Sequence, residues 1–142
     1  MRFMMLMIPK GYEQAKPGAA PDAKAVAAMM KYNESLQKAG ILLALDGLHP
    51  PSMGARVTFS GGRPKVIDGP FTEAKEVVGG YWMIQVKSKE EAIEWASRCP
   101  GSDNEVIEIR QVQEFADFPA DVQEAAAGFS ELQAKARQER GS

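Results

Sequence analysis

Residues 3–8 and 41–45 are unbroken apolar runs of six and five residues, and they narrow what the chain can fold into more than any other feature. Each is too short for an amphipathic helix and far below the ~20 residues that span a bilayer. Both read as β-strands, whose side chains alternate between faces. In the first, Phe3, Met5 and Met7 point one way and Met4, Leu6 and Ile8 the other, so both faces need cover. A secretory leader is the competing reading of that run. It lacks a small-residue cleavage site, and Pro9, Lys10 and Gly11 cut it off. We therefore expect a cytoplasmic protein with no membrane partner.

Residues 10–22, with Pro17-Gly18, read as a loop. Residues 23–38 follow with Ala25, Met29, Tyr32, Leu36 and Ala39 at helical spacing, and Gly40 stands where a helix-ending glycine belongs. After the second apolar run, Asp46-Gly47-Leu48-His49-Pro50-Pro51 is rich in turn formers. Residues 55–59 and 63–67 flank Ser60-Gly61-Gly62 as a hairpin. The loop Asp68-Gly69-Pro70-Phe71 comes next, and residues 72–78 read as a short helical turn. Gly79-Gly80 opens a strand with Trp82, Ile84 and Val86 on one face and Tyr81, Met83 and Gln85 on the other. Ser88-Lys89-Glu90-Glu91 fits a capping box and predicts a helix over residues 89–98, with Ala92, Trp95, Ala96 and Cys99 inward. Residues 105–112 form the last strand. A third helix follows, with a stripe of Val122, Ala125, Phe129, Leu132 and Ala136.

The order β-α-β, hairpin, β-α-β, helix predicts an α+β ferredoxin-like split βαβ sandwich with an inserted β-hairpin and an extra C-terminal helix. Residues 1–113 make the α+β domain. Residues 114–142 are a helical extension packed on that domain or its dimer mate. Helices cover one face of such a sheet, yet the strands are apolar on the other face too. That predicts a homodimer through the sheet faces, a dimeric α/β-barrel-like association.

With a net charge of −2 and no basic stripe, nucleic acid is excluded as a partner. One cysteine and one histidine supply neither a disulfide framework nor the ligand spacing of a metal site. No phosphate-cradle or nucleophile-elbow pattern occurs, and no cofactor is expected.

Asp68-Gly69-Pro70 is turn chemistry: the aspartate caps, the glycine takes a positive φ, the proline presets its own. Asp68 also stands at a strand end, where a carboxylate acts as a base or a ligand clamp. His49 is the one side chain that ordinarily titrates near neutrality. If the loop folds back on the preceding strand end, His49 and Asp68 form a catalytic pair; otherwise His49 is an exposed loop residue. Thr72, Glu73, Lys75 and Arg110 are candidate ligand contacts, the two cations suiting an anion. As a solvated face, with Arg110 paired to Glu108, they need no ligand. Tyr12 and Tyr81 are candidate pocket walls. Cys99, in an apolar stripe, reads as a buried inert thiol.

Asp68-Gly69-Pro70-Phe71-Thr72-Glu73-Ala74-Lys75-Glu76, followed by Gly79-Gly80-Tyr81-Trp82, resembles the YCII-related family, specifically its DGPF-domain branch. Ala39-Gly40-Ile41-Leu42-Leu43, the segment from Glu91 to Pro100 and the last strand also fit it. The resemblance covers residues 1–113 and implies a dimeric ferredoxin-like fold of undefined biochemical role. In similar proteins a His-Asp pair is the proposed active site. An ungapped alignment from Gly40 puts that histidine at Met29, and Gln111 stands where the branch usually has proline.

Three functions remain open. The chain binds a small metabolite in a cleft by the DGPF loop, or it is an acid–base enzyme using Asp68 and His49, or it is a regulatory protein-interaction module.

Overall fold

The structure, a computed structural model, describes residues 1–18, 20–71 and 76–140. It divides into two compact units, Met1–Gln111 and Val112–Ser142. The first holds β1 (Arg2–Ile8), α1 (Ala23–Lys38), β2 (Leu42–Gly47), β3 (Ala55–Ser60), β4 (Arg63–Asp68), β5 (Gly80–Gln85), α2 (Lys89–Ser97) and β6 (Val106–Gln111). Four strands form one antiparallel sheet in the order β2-β5-β1-β6, the ferredoxin-like arrangement, and β3 and β4 form a separate hairpin.

The run that is apolar on both faces became a central strand. Met5 of β1 lies opposite Trp82 on one side and Ile109 on the other. Phe3, Met5, Trp82 and Ile84 share one buried core with Tyr32 and Leu36 of α1 and Ala92 of α2. The second apolar run is instead an edge strand. Leu42 lies opposite Ile84, a bulge follows, and Ala44 lies opposite Met83. Leu43 in the bulge and Leu45 beyond it are 48% and 38% exposed, so the strand leaves the buried core after Leu42.

Local chemistry fixes the helices. The Ala25 amide donates to the Asp22 carboxylate at 3.2 Å to start α1, and Gly40 ends it at φ 72°. At α2 the Glu91 amide donates to Ser88 Oγ at 3.1 Å. The Glu91 carboxylate reaches back to the Lys87 amide at 2.9 Å, one residue before the one a standard capping box uses. Polar bonds tie the layers together. Tyr32 donates its hydroxyl proton to the Trp95 carbonyl at 2.7 Å, and the Trp82 indole N–H donates to Asn33 Oδ1 at 2.8 Å.

In the second unit the expected single helix is two, α3 (Ala120–Ala125) and α4 (Phe129–Arg140). Gly128, at φ 91°, stands between them in a left-handed conformation that no α-helix continues through. Among the described residues, no helix is long and apolar enough to cross a membrane.

Candidate functional site

The loop after β4 is built on a close backbone approach. The Gly69 amide donates to the Gly54 carbonyl at 2.9 Å. A Cβ on Gly69 would lie 1.6 Å from the Pro51 carbonyl oxygen. Gly69 is not among the positive-φ glycines, which corrects the left-handed turn expected there. Glycine is needed at this position for space. The partner segment is itself tight: the Met53 and Gly54 amides donate to the Pro50 and Pro51 carbonyls, each at 2.9 Å.

This docking sets Phe71 beside the hairpin. The Arg56 guanidinium of β3 lies 4.1 Å from the centre of the Phe71 ring, a cation–π stack. Phe71 and Arg56 wall a recess of about 430 Å³ with His49 and Glu76. Pro50, Met53, Val77 and Val78 supply its apolar lining. Among the described residues, no hydrogen bond or ion pair engages the side chains of His49, Arg56 or Glu76. A recess of this size with a few convergent polar groups on an apolar wall has the build of a small-molecule site.

A second cleft, of about 460 Å³, opens on the core side of the sheet. Met7, Met29, Asn33, Leu45 and Trp82 line it, with Gly47, Gly79 and Gly80 at the strand ends. Gly80 is required by proximity, since a Cβ there would sit 2.9 Å from the Asp46 carbonyl oxygen. Met29 is a cleft wall made of a thioether, with no proton to exchange. Asp46 and Tyr81 also border the cleft. Register puts Leu45 opposite Trp82 and Asp46 opposite Tyr81, so the Asp46 and Tyr81 side chains alternate to the other sheet face. There Tyr81 donates its hydroxyl proton to Asp46 at 2.6 Å.

The expected site residues are dispersed. His49 lines the 430 Å³ recess. Asp68 is exposed at the end of β4, opposite Ala55, and among the described residues no hydrogen bond joins it to His49. Tyr12 donates its hydroxyl proton to the Leu48 carbonyl and packs near Gly79. Arg110 is held by Glu108 at 3.4 Å on exposed β6. Thr72, Glu73 and Lys75, with most of the turn expected over residues 72–78, lie outside the described residues. Sequence reasoning missed Arg56 and Glu76. The signal that would have found Arg56 was Phe71, a lone aromatic in a loop of turn formers.

Two groups outside the recess are perturbed. Burial, followed by the Glu105 carboxylate, pushes the Cys99 thiol up to about 11, and its Sγ lies 3.8 Å from Met29 Sδ. Burial, followed by nearby Cys99, raises the Tyr32 phenol well above its ordinary value, against a smaller lowering by Arg98.

The YCII-related domain family matches residues 1–116. An uncharacterized protein of Rhizobium meliloti (strain 1021) is 37% identical over 59 residues, 42% of this chain and 48% of that protein. The chain thus spans about half the length of that relative. The match over residues 1–116, on an antiparallel sheet of ferredoxin-like order, shows that the chain belongs to the YCII-related family.

Proposed function

We propose that this YCII-related chain binds a small metabolite in the recess beneath Phe71, the aromatic residue of its DGPF loop. One observation carries the reading: the side chains of His49, Arg56 and Glu76 converge on one apolar-walled recess without a hydrogen-bond or ion-pair partner among the described residues. Charged side chains without a hydrogen-bond or ion-pair partner among the described residues, set around an aromatic wall, suit ligand capture better than folding. Met29 in place of the family histidine favours binding over the His-Asp chemistry proposed for relatives.

The test is a thermal-shift screen of a metabolite panel on the wild type and on Arg56→Gln. A ligand at ~100 times its dissociation constant adds about 2.7 kcal/mol of stability. A hit lost in the variant supports the recess; hits that survive it unchanged, or no hits, overturn it. A second reading, acid–base catalysis, rests on His49, the one imidazole of the chain and a wall of the same recess. Turnover of a hit by the wild type and not by His49→Gln would establish it.

The quaternary part of the reading is a homodimer through the sheet face opposite the core. Support comes from Met4, Leu6 and Ile8 of β1 and Met83 of β5, which register places together on that face.

A further inference from the structure

We infer that the ligand of the Phe71 recess is a zwitterion of the amino-acid class, its carboxylate on Arg56 and its ammonium on Glu76. The inference rests on the recess being a binding site, and it adds the chemistry of what binds.

The Arg56 guanidinium carbon lies 4.1 Å from the centre of the Phe71 ring, an attraction that restricts the side chain while leaving its N–H donors without a side-chain acceptor among the described residues. A planar N–H fork matches a carboxylate, which accepts two parallel hydrogen bonds from it. Lysine in its place would offer only a point charge.

Glu76 decides the rest. It lines the same recess, yet it forms no ion pair with Arg56. Two opposite charges that share a recess without pairing are both satisfied by a ligand that spans them with the complementary charges. A simple anion placed on Arg56 meets the Glu76 carboxylate as a like charge. A simple cation placed on Glu76 meets the Arg56 guanidinium in the same way. Pro50, Met53 and Val77 are apolar walls for a hydrocarbon side chain, and His49 is a further donor for the carboxylate.

Calorimetric titration of the full chain with two matched series tests this. The first is L-leucine, isocaproate and isoamylamine. The second is L-phenylalanine, hydrocinnamate and phenethylamine. Each keeps one hydrocarbon body and offers both charges, the carboxylate alone or the ammonium alone. At least one amino acid should bind about tenfold more tightly than either of its analogues, a difference of about 1.4 kcal/mol. Arg56→Gln should bring that amino acid down to the level of its amine, and Glu76→Gln down to the level of its carboxylate. Both side chains are exposed, so folding of the variants is checked simply by their unchanged circular dichroism. A carboxylate that equals its amino acid and ignores Glu76→Gln would overturn the zwitterion and leave a plain anion site in the recess. Titrations without heat from every compound would also overturn it, and the metabolite screen then decides separately whether the recess binds anything.

Discussion

Tyr32 of α1 donates its hydroxyl proton to the Trp95 carbonyl of α2 at 2.7 Å and turns its ring edge to Trp82 at a centroid distance of 5.6 Å. One buried side chain thereby joins both helices and the sheet. Tyr32→Phe keeps the edge-to-face contact and removes one of two hydrogen bonds to the Trp95 carbonyl, which still accepts from the Arg98 amide at 3.2 Å. The expected loss is about 0.5–1.5 kcal/mol, the net worth of one hydrogen bond. Urea denaturation of both proteins measures it, and a variant as stable as the wild type would show that the Tyr32 hydroxyl adds nothing to the tie between the helices.

Gly69→Ala should be far worse than its one added methyl suggests. The new Cβ would lie 1.6 Å from the Pro51 carbonyl oxygen, a distance at which the backbone must move. The Gly69–Gly54 hydrogen bond opens with it, and Phe71 is displaced from Arg56. We expect lower stability together with loss of any ligand that depends on Arg56. By contrast, Gly101→Ala, where nothing stands within 4 Å, should be close to neutral. Thermal melts of the pair decide whether close approach or general glycine strain governs this loop.

The fold was legible in sequence because the features that carry it are local and periodic. Residues 23–38 were bounded by their apolar spacing and by Gly40, and α1 has those limits. β1 was marked by its unbroken apolar run, β5 by alternation, and the hairpin by Gly61-Gly62, both of which adopt positive φ. The break in the C-terminal helix was legible at Gly128, but the stripe from Val122 to Ala136 continues across it and masked the signal. The site was much less legible. Asp68 and His49 stood out by residue type, yet Arg56 and Glu76 are brought to His49 by the folding back of Gly69 onto Pro51 and Gly54. That approach links residues distant in sequence, and no spacing rule encodes it.

Cys99 makes stability fall in alkaline solution. Its folded value is raised, from the ordinary 9.0 to about 11. The unfolded thiol therefore ionises first, and the stability this contributes is complete below pH 9 and lost as the pH rises to about 11. Tyr32, also raised, extends the same trend upward from pH 10. Urea midpoints should drop between pH 9 and 11 in the wild type and less steeply in Cys99→Ala. Equal slopes would remove the thiol as the cause. At neutral pH the same burial should keep Cys99 slow toward iodoacetamide in the native state and fast in urea.

Dimerisation through the sheet face predicts a sharp effect of one charge. Met83 and Leu6 lie on adjacent strands of that face, with Met4 and Ile8 flanking Leu6. Met83→Arg places a guanidinium there, which costs little in a monomer and several kcal/mol in a dry interface. Light scattering at micromolar concentration should find a dimer for the wild type and a monomer for the variant. A wild-type monomer would end the proposal.

Asp68 separates the geometry from the sequence-level expectation that it acts on a ligand. It is exposed at the end of β4, opposite Ala55, and does not line the Phe71 recess. Replacing its carboxylate by an amide preserves the size of the side chain, which makes no hydrogen bond among the described residues. Asp68→Asn should therefore keep ligand affinity within about twofold, under half a kcal/mol. Arg56→Gln should cost about tenfold or more, the scale of a lost charged hydrogen bond. Calorimetry on both variants with one ligand makes the comparison direct. Should Asp68→Asn lose binding while its melting curve is unchanged, the aspartate of the DGPF loop reaches the ligand after all, and the site extends from the recess to the end of β4.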